Sequence, residues 1–507
     1  MMHIEYICHS CLYIDTGDTT LVFDPWFKEG AYMNQWQLFP GPIDTQILSG
    51  TKNILYSHGH DDHLHAASLK SLDPSAAVFF PYQWRNGARE FFREAGFGNI
   101  TEAVSFKEYR ITEKTSVTYM AFALESVIIV ESNGIVLVNL NDALNSHHEN
   151  VVQWFLREIK KRWPKIDYLF SGWSGAGYFP NTVHYKTKDD FETGLIREQY
   201  FAHNFCRIVN TLQPARALPF GPGFALLRPD KQWINEVKFP REKIVAYYEE
   251  NFGKTVETEF FVMNPGDYFR QHVFHKVSPW HERFATNSVS QLIHQEFAKE
   301  IEMATHTSPC SIENQQEILE LLRKCLADNA LLYSGKVLEA ANFSLWLENA
   351  TAAYYNIHFV GNRFVVTLDD KPHPGHRLLL RTRCDLLKHA LEHEWGGDVL
   401  TIGYGIDVDV YDEITLEQNL DIVCVRLITR YPTTTGSLMK NPVRAFNYFI
   451  KHPMMAKLAI RQKFLLRNTV NKFPYNERDH WISWSKCDLC KVCNLPMLSW
   501  DLGEQLA

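Results

Sequence analysis

No run of about 18 apolar residues occurs in the 507-residue chain, so no segment reads as a membrane-spanning helix. The opening MMHIEYICHS has no basic region followed by a long apolar stretch, so no secretion signal is expected there. Internal repeats and low-complexity linkers are missing too. Cysteine is sparse: ten residues, scattered apart from Cys8/Cys11 and Cys487/Cys490/Cys493. Without a secretion signal, this argues against a disulfide framework and for reduced thiols in a cytoplasmic setting. Negative charge is missing locally. Ile422 to Asn476 contains no Asp or Glu but ten Lys/Arg. The whole chain still carries a net charge of −8, which is not the balance of a nucleic-acid binder.

What is present is a globular composition, 45% hydrophobic and 22% charged. The length exceeds one ordinary core and predicts two or three domains. Strand and helix patterns alternate through about residue 228. Leu12–Ile14 and Leu21–Phe23 flank the turn-rich Thr16-Gly17-Asp18, and Ser126–Val130 and Ile135–Val138 flank Asn133-Gly134. Both read as hairpins. Ile54-Leu55-Tyr56 reads as a short buried strand and Ala66–Leu72 as the next helix. Val151–Trp163 follows as a helix and Ile166–Phe170 as a strand. The chain is expected to divide at 1–230, a mixed α/β extension at 231–421, and a basic helical segment with a Cys-rich tail at 422–507.

The densest chemistry is YSHGHDDHLH at residues 56–65, just after the strand signal. His58-Gly59-His60-Asp61-Asp62-His63 fits H-x-H-x-D-H. Side chains one and two apart on a tight turn after a strand can converge on one point. Imidazoles and a carboxylate suit zinc, iron or manganese. His58 and His60 would hold one metal, and Asp62 and His63 a second. A solvated polar loop is the bland alternative.

H-x-H-x-D-H is the signature of the metallo-β-lactamase fold, an αββα sandwich. Tyr6–Cys11, Val22–Trp26, Ser57–Leu64, Ser126–Glu131, Val138–Asp142, Ser171–Ala176, Leu212-Gln213-Pro214 and Pro219-Phe220 resemble the CMP-N-acetylneuraminate hydroxylase branch of that superfamily. The resemblance is specific to about residue 228 and loose beyond it. It implies an iron-dependent oxygenase that hydroxylates an N-acyl amino sugar or related small molecule, such as one carried as a nucleotide sugar. The branch also carries a Rieske domain, which needs two Cys-x-His pairs. This chain has none, so electrons would come from a separate donor.

Hydrolases of the fold usually add a histidine between the cluster and the bridging Asp, and another late in the chain. Here no histidine lies between His65 and Asp142, and the late position falls at Phe220-Gly221. Glu125 could replace the first, and His184 or His203 the second. Exchanging imidazole for carboxylate favours harder metals such as iron over zinc. The expected ligands are His58, His60, Asp62, His63, Asp142 and Glu125, with Asp62 and His9 as the groups nearest the chemistry. The alternative is a metal-dependent hydrolase of phosphodiester, amide or lactone substrates, with zinc as the alternative metal. A third reading is a metal-stabilised binding protein.

Other signals are weaker than this one. His389-Ala390-Leu391-Glu392-His393 matches H-x-x-E-H but is ended at once by Trp395-Gly396-Gly397, so a solvated helix end is expected. Cys487, Cys490 and Cys493 could hold an extra metal or Fe–S cluster if a remote ligand joined them. The acid-free stretch could dock an acidic electron-transfer protein or an anionic surface, or could pair with the acidic body.

Overall fold

In the computed structural model the described residues are 2–83, 87–122, 125–144, 149–179, 181–186, 189–254, 257–306, 308–350, 354–412, 420–430 and 442–457. Among them the strands form sheets of eight, seven and six strands and one two-stranded ribbon. The eight-stranded sheet runs, edge to edge, Val273–His275, Tyr268–Arg270, His3–Cys8, Cys11–Asp15, Thr20–Phe23, Asn53–Leu55, Ala77–Pro81 and Ile100–Ala103. The seven-stranded sheet runs Glu259–Phe260, Arg216–Phe220, Tyr168–Gly172, Ile135–Asn141, Glu125–Ser132, Thr115–Phe122 and Glu108–Arg110.

The two-residue period of a strand explains how these sheets stack. Ile4, Leu12, Ile14 and Phe23 point to one shared core with Ile128, Val130, Leu137 and Phe170 of the facing sheet. The alternate residues point outward. Val22, Ile54 and Tyr56 pack under Leu69 and Phe92 of the helices Ala66–Leu69 and Ala88–Glu94. Val127, Ile129 and Val138 pack under Phe155 and Phe205 of Glu149–Arg162 and Asp190–Leu212. The result is the αββα sandwich. Asn133 (φ 51°) and Gly134 (φ 78°) both take the left-handed backbone that a two-residue hairpin turn needs. The helix expected over Ala66–Leu72 is shorter, and His65 accepts the amide of Ser68 at its start. The strand expected at Ile166–Phe170 sits two residues later.

The sheets continue past residue 230. Glu259–Phe260 extends the second sheet, and Tyr268–Arg270 pairs with His3–Cys8 at the edge of the first. These strands are two and three residues long, too short for a legible alternation. The six-stranded sheet, ordered Val183–Tyr185, Ile406–Val410, Leu378–Thr382, Phe343–Leu347, Tyr354–Val360 and Arg363–Asp369, also takes its first strand from the N-terminal body.

The expectation of unpaired thiols fails at Cys310 and Cys384, which form a disulfide joining the starts of the helices Ile312–Ala330 and Cys384–Glu392. They are 74 residues apart, and no spacing motif marks them. His389 and His393 sit at the end of the second of these helices, as expected. Cys487, Cys490 and Cys493 lie outside the described residues. In the acid-free region, Arg444 on Pro442–Lys451 bonds to the Gln83 carbonyl and the Glu102 carboxylate, and Lys451 lies over the Tyr82 ring. Those two cations face the body. No helix of the described residues is long and apolar enough to cross a membrane.

A partly buried charge group ties the third sheet to the sandwich. His184 bonds through Nδ1 to Asp190 (2.7 Å) and through Nε2 to Asp407 (2.8 Å), and Lys231 also pairs with Asp407. Burial alone would lower the His184 pKa, but the two carboxylates outweigh it and hold it at about 9. A raised histidine pKa stabilises fully below the unfolded value and is lost as pH rises through the folded one. Denaturant titrations should therefore show stability falling between about pH 6.5 and 9, by on the order of 2 kcal/mol. His184→Gln should flatten that slope. An unchanged slope in the variant would show that His184 is not the titrating group.

Candidate metal centre

Six of the chain segments that supply the site leave a strand at the same edge of the sandwich. His9 follows His3–Cys8, Asp24 follows Thr20–Phe23, and Asp142 follows Ile135–Asn141. The histidine cluster follows Asn53–Leu55, Trp173–Ala176 follows Tyr168–Gly172, and Gly221–Gly223 follows Arg216–Phe220. Strand carboxyl ends are where open α/β sheets place ligands.

The expected residues converge there in two neighbouring groups. His58, His60 and Asp142 form one, and His9, Asp62 and His63 the other, with donor atoms within 4.8 Å of one another in each. His58 Nε2 lies 2.8 Å from His60 Nδ1 and 3.8 Å from Asp142 Oδ2. His63 Nε2 lies 3.4 Å from Asp62 Oδ2 and 3.3 Å from the same Asp142 oxygen. Asp142 therefore reaches both groups. Glu125, at the start of Glu125–Ser132, lines the cavity beside them.

Protonation follows from these contacts. Burial raises the Asp62 carboxyl, but His63 and then His9 outweigh it and hold it well below the usual range. Burial would lower the His63 pKa, but Asp62 and Asp142 hold it well above normal. Burial, with His63 and His60 adding, pushes His58 well down. Burial pushes Glu125 well up; Asp142 adds to this and His63 opposes it.

Two features fit a bound cation. Glu125 Oε2 is buried with no hydrogen-bond partner among the described residues, an arrangement that disfavours the charged carboxylate unless a cation joins it. Both ring nitrogens of His63 are buried without an aligned hydrogen bond, though carboxylate oxygens surround them at 3.2–3.4 Å.

His9 plays a different part from the other histidines. The Gly223 amide donates to its Nδ1 at 2.9 Å. Its Nε2 therefore carries the proton and donates it to Asp62 Oδ2 at 3.0 Å. His9 stands close enough to hold an ion, but it orients Asp62 rather than offering a lone pair. Tyr32 completes the grip by donating to Asp62 Oδ1 at 2.5 Å. A Cβ on Gly223 would lie 2.8 Å from the His9 backbone nitrogen, so glycine is what lets this amide approach.

Asp24, Tyr32, Ser57 and Gly223 were not singled out from sequence. Asp24 is fully buried. It accepts from Ser57 N (2.8 Å), Ser57 Oγ (2.8 Å) and Asn141 Nδ2, and lies 3.2 Å from His63 Nδ1. An acid ending an apolar strand, as in Leu21-Val22-Phe23-Asp24, was the available signal. His184 and His203 do not reach the centre; His203 bonds instead to the Tyr247 hydroxyl at 3.0 Å. His65 caps a helix.

Above the cluster is a cavity of about 140 Å³ with Ser10, Trp36, Ser174, Phe201, Phe220 and Ile402 in its walls. The Ser174–Ala176 loop runs against helix Asp190–Leu212. A Cβ on Gly175 would lie 2.1 Å from the Phe201 ring. Arg197 donates to the carbonyls of Gly175 (3.0 Å) and Ala176 (2.6 Å), and Ser174 Oγ donates to Glu198. Ile402 brings the C-terminal part of the chain to the rim, where Gln35 Nε2 donates to the Val399 carbonyl at 2.7 Å.

Residues 3–151 match the family model described as a beta-lactamase superfamily domain. Among curated proteins, the chain is 25% identical over 251 residues to the inactive cytidine monophosphate-N-acetylneuraminic acid hydroxylase of Homo sapiens, covering 46% of this chain and 48% of that protein. It is 26% identical over 257 residues to cytidine monophosphate-N-acetylneuraminic acid hydroxylase of Mus musculus, covering 46% and 41%. The chain thus spans less than half the length of these relatives. Similar solved structures include CmlA, a diiron beta-hydroxylase from Streptomyces venezuelae (15% identity, TM-score 0.34, 52% of this chain and 53% of that one). Another is a possible metal-dependent hydrolase from Veillonella parvula DSM 2008 (11% identity, TM-score 0.38, 53% and 99%). The match over residues 3–151 assigns a beta-lactamase superfamily domain to that part of the chain, the part that carries His58, His60, Asp62, His63, Glu125 and Asp142.

Proposed function

We propose that the chain is an iron-dependent hydroxylase with a two-metal centre. His58, His60, Asp142 and Glu125 would hold one ion. Asp62, His63 and Asp142 would hold the other. The observation that carries this reading is Glu125, which lines the cavity beside the cluster with one carboxylate oxygen buried and without a hydrogen-bond partner among the described residues. With His9 committed to Asp62, the donor set is three imidazoles and three carboxylates, a mixture that suits iron better than zinc. When bound, iron here supplies the capacity to activate dioxygen for C–H hydroxylation.

The protein's own groups do the rest. His9 and Tyr32 fix the Asp62 carboxylate, Asp24 fixes His63, and Trp36, Phe201 and Phe220 keep the approach to the cluster apolar. The cavity of about 140 Å³ is well below the roughly 300–1,000 Å³ of sites that enclose a drug-sized ligand. It admits a reacting group while the rest of the substrate stays at the rim. An N-acyl amino sugar would insert its acyl end this way, in keeping with the hydroxylases this chain is similar to. Electrons would come from a separate protein.

Protein isolated without added metal should contain about two equivalents of iron, lost in the His58→Ala/His60→Ala variant, and should consume oxygen when reductant and substrate are added. Zinc in the same site with no oxygen uptake would overturn the hydroxylase reading in favour of hydrolysis. His9→Gln should keep its iron and lose turnover about 10–100-fold. Gly223→Ala should do the same by displacing His9. Loss of one iron in both variants would show that His9 is a ligand after all.

A further inference from the structure

The turn between the strands Arg363–Asp369 and Leu378–Thr382 reads Lys371-Pro372-His373-Pro374-Gly375-His376-Arg377. The His376 amide donates to the His373 carbonyl at 3.0 Å, closing a β-turn with Pro374 at its second place, where proline's fixed φ suits such a turn. This turn holds His373 and His376 on one side. His358 meets them from the strand Tyr354–Val360, at the level of Val365. The three rings form a nearly even triangle, with centroids 4.4 to 4.8 Å apart. One nitrogen from each lies within 4.8 Å of the others.

Buried polar groups beneath the triangle set the direction of the inner ring. Ser344 Oγ donates to Asn356 Oδ1 at 2.6 Å, so it accepts from His376 Nδ1 at 2.8 Å. Asn356 Oδ1 also takes the His373 amide at 3.0 Å, which pins the turn. His376 Nδ1 therefore carries the proton, and its Nε2 lone pair accepts from His358 Nδ1 at 3.2 Å; a metal bound between them would take the place of that proton, which would move to His358 Nε2. That separation is close to the about 3.3 Å between two nitrogens on a tetrahedral zinc with bonds of about 2.0–2.1 Å. A ligand histidine held through its other nitrogen is how metal sites orient imidazoles. His373 is exposed, and its Nδ1 takes the Gly375 amide at 3.2 Å. Binding through Nε2 would move that ring's proton to Nδ1 and lengthen this contact, which a surface turn allows.

We propose that His358, His373 and His376 form a second, separate metal site that takes one divalent transition-metal ion, zinc above all, through three imidazole nitrogens. The fourth position faces the surface and is open to water or an incoming ligand. Nearby Asp369, held by Asn356 and Thr367, adds negative charge beside the cluster. The site lies on the third sheet and does not depend on the chemistry of the first centre.

The test uses the full chain, stripped with chelator and titrated with zinc chloride alone. The His58→Ala/His60→Ala protein should still bind about one zinc, and adding His373→Ala should weaken that binding at least about 10-fold. Cobalt should give the intense visible bands of a tetrahedral ion in the first variant and lose them in the second. His373 is exposed, so thermal melting without metal should be the same with and without His373→Ala, while the zinc-dependent rise in melting temperature should vanish. To guard against misfolding of the double variant, wild type and the single His373→Ala variant should differ by one bound zinc. Zinc binding that is unchanged by His373→Ala, or no zinc in the His58→Ala/His60→Ala protein and no difference between wild type and His373→Ala, would overturn the proposal.

Discussion

The carboxylate of Asp24 is the fixed point of the candidate centre. It has no solvent exposure, so its charge is tolerable only because donors from elsewhere reach it. Those donors come from two separate strand ends, Ser57 before the histidine cluster and Asn141 before Asp142. One buried negative charge thus sets the spacing of the segments that carry the ligands, and it also lies against His63. Breaking such a buried arrangement from one side is expected to destabilise by about 3–5 kcal/mol. The ligand turn and the Asp142 turn are held together by this contact rather than by hydrogen bonds of their own sheets.

The same edge of the sandwich is where local preferences give way. His9, Asp24 and Asn141 all adopt left-handed backbone, at φ 46°, 37° and 54°. Such residues cost on the order of 1–3 kcal/mol each and persist where the surroundings over-determine them. Here each one turns a strand end so that its side chain or its neighbour's enters the cluster. Glu125 adds a buried carboxylate oxygen with no hydrogen-bond partner among the described residues. The inter-sheet core of Ile128, Val130, Phe170 and their partners supplies the rigidity against which these penalties are held. A cation bound at the cluster would relieve the charge part of them.

The legibility of this chain follows from how local each signal is. H-x-H-x-D-H lies within one turn, and the hairpin at Asn133-Gly134 within one pair of strands, so both could be read directly. The gathering of Asp142 and Glu125 around the turn could be expected only through a family resemblance. The grip of His9 on Asp62 spans 53 residues and depends on the Gly223 amide, so nothing local announces it. The closing strands at Glu259–Phe260 and Tyr268–Arg270 are too short for a period to show. Cys310 and Cys384, and the triangle of His358, His373 and His376, are brought together by sheet pairing and helix packing alone. Histidines at i and i+3 across a Pro-Gly turn were the one visible trace of the last.

The proposed centre has two metal ions at the strand ends, with Glu125 on one of them and His9 on neither. A crystal structure of the iron-loaded protein with anomalous data at the iron edge tests all three parts. The account predicts two peaks about 3.5–4 Å apart, bridged by Asp142, with Glu125 on the ion held by His58 and His60. His9 Nε2 should remain bonded to Asp62. A single peak, or a Glu125 carboxylate turned away with His9 on the metal, would contradict it.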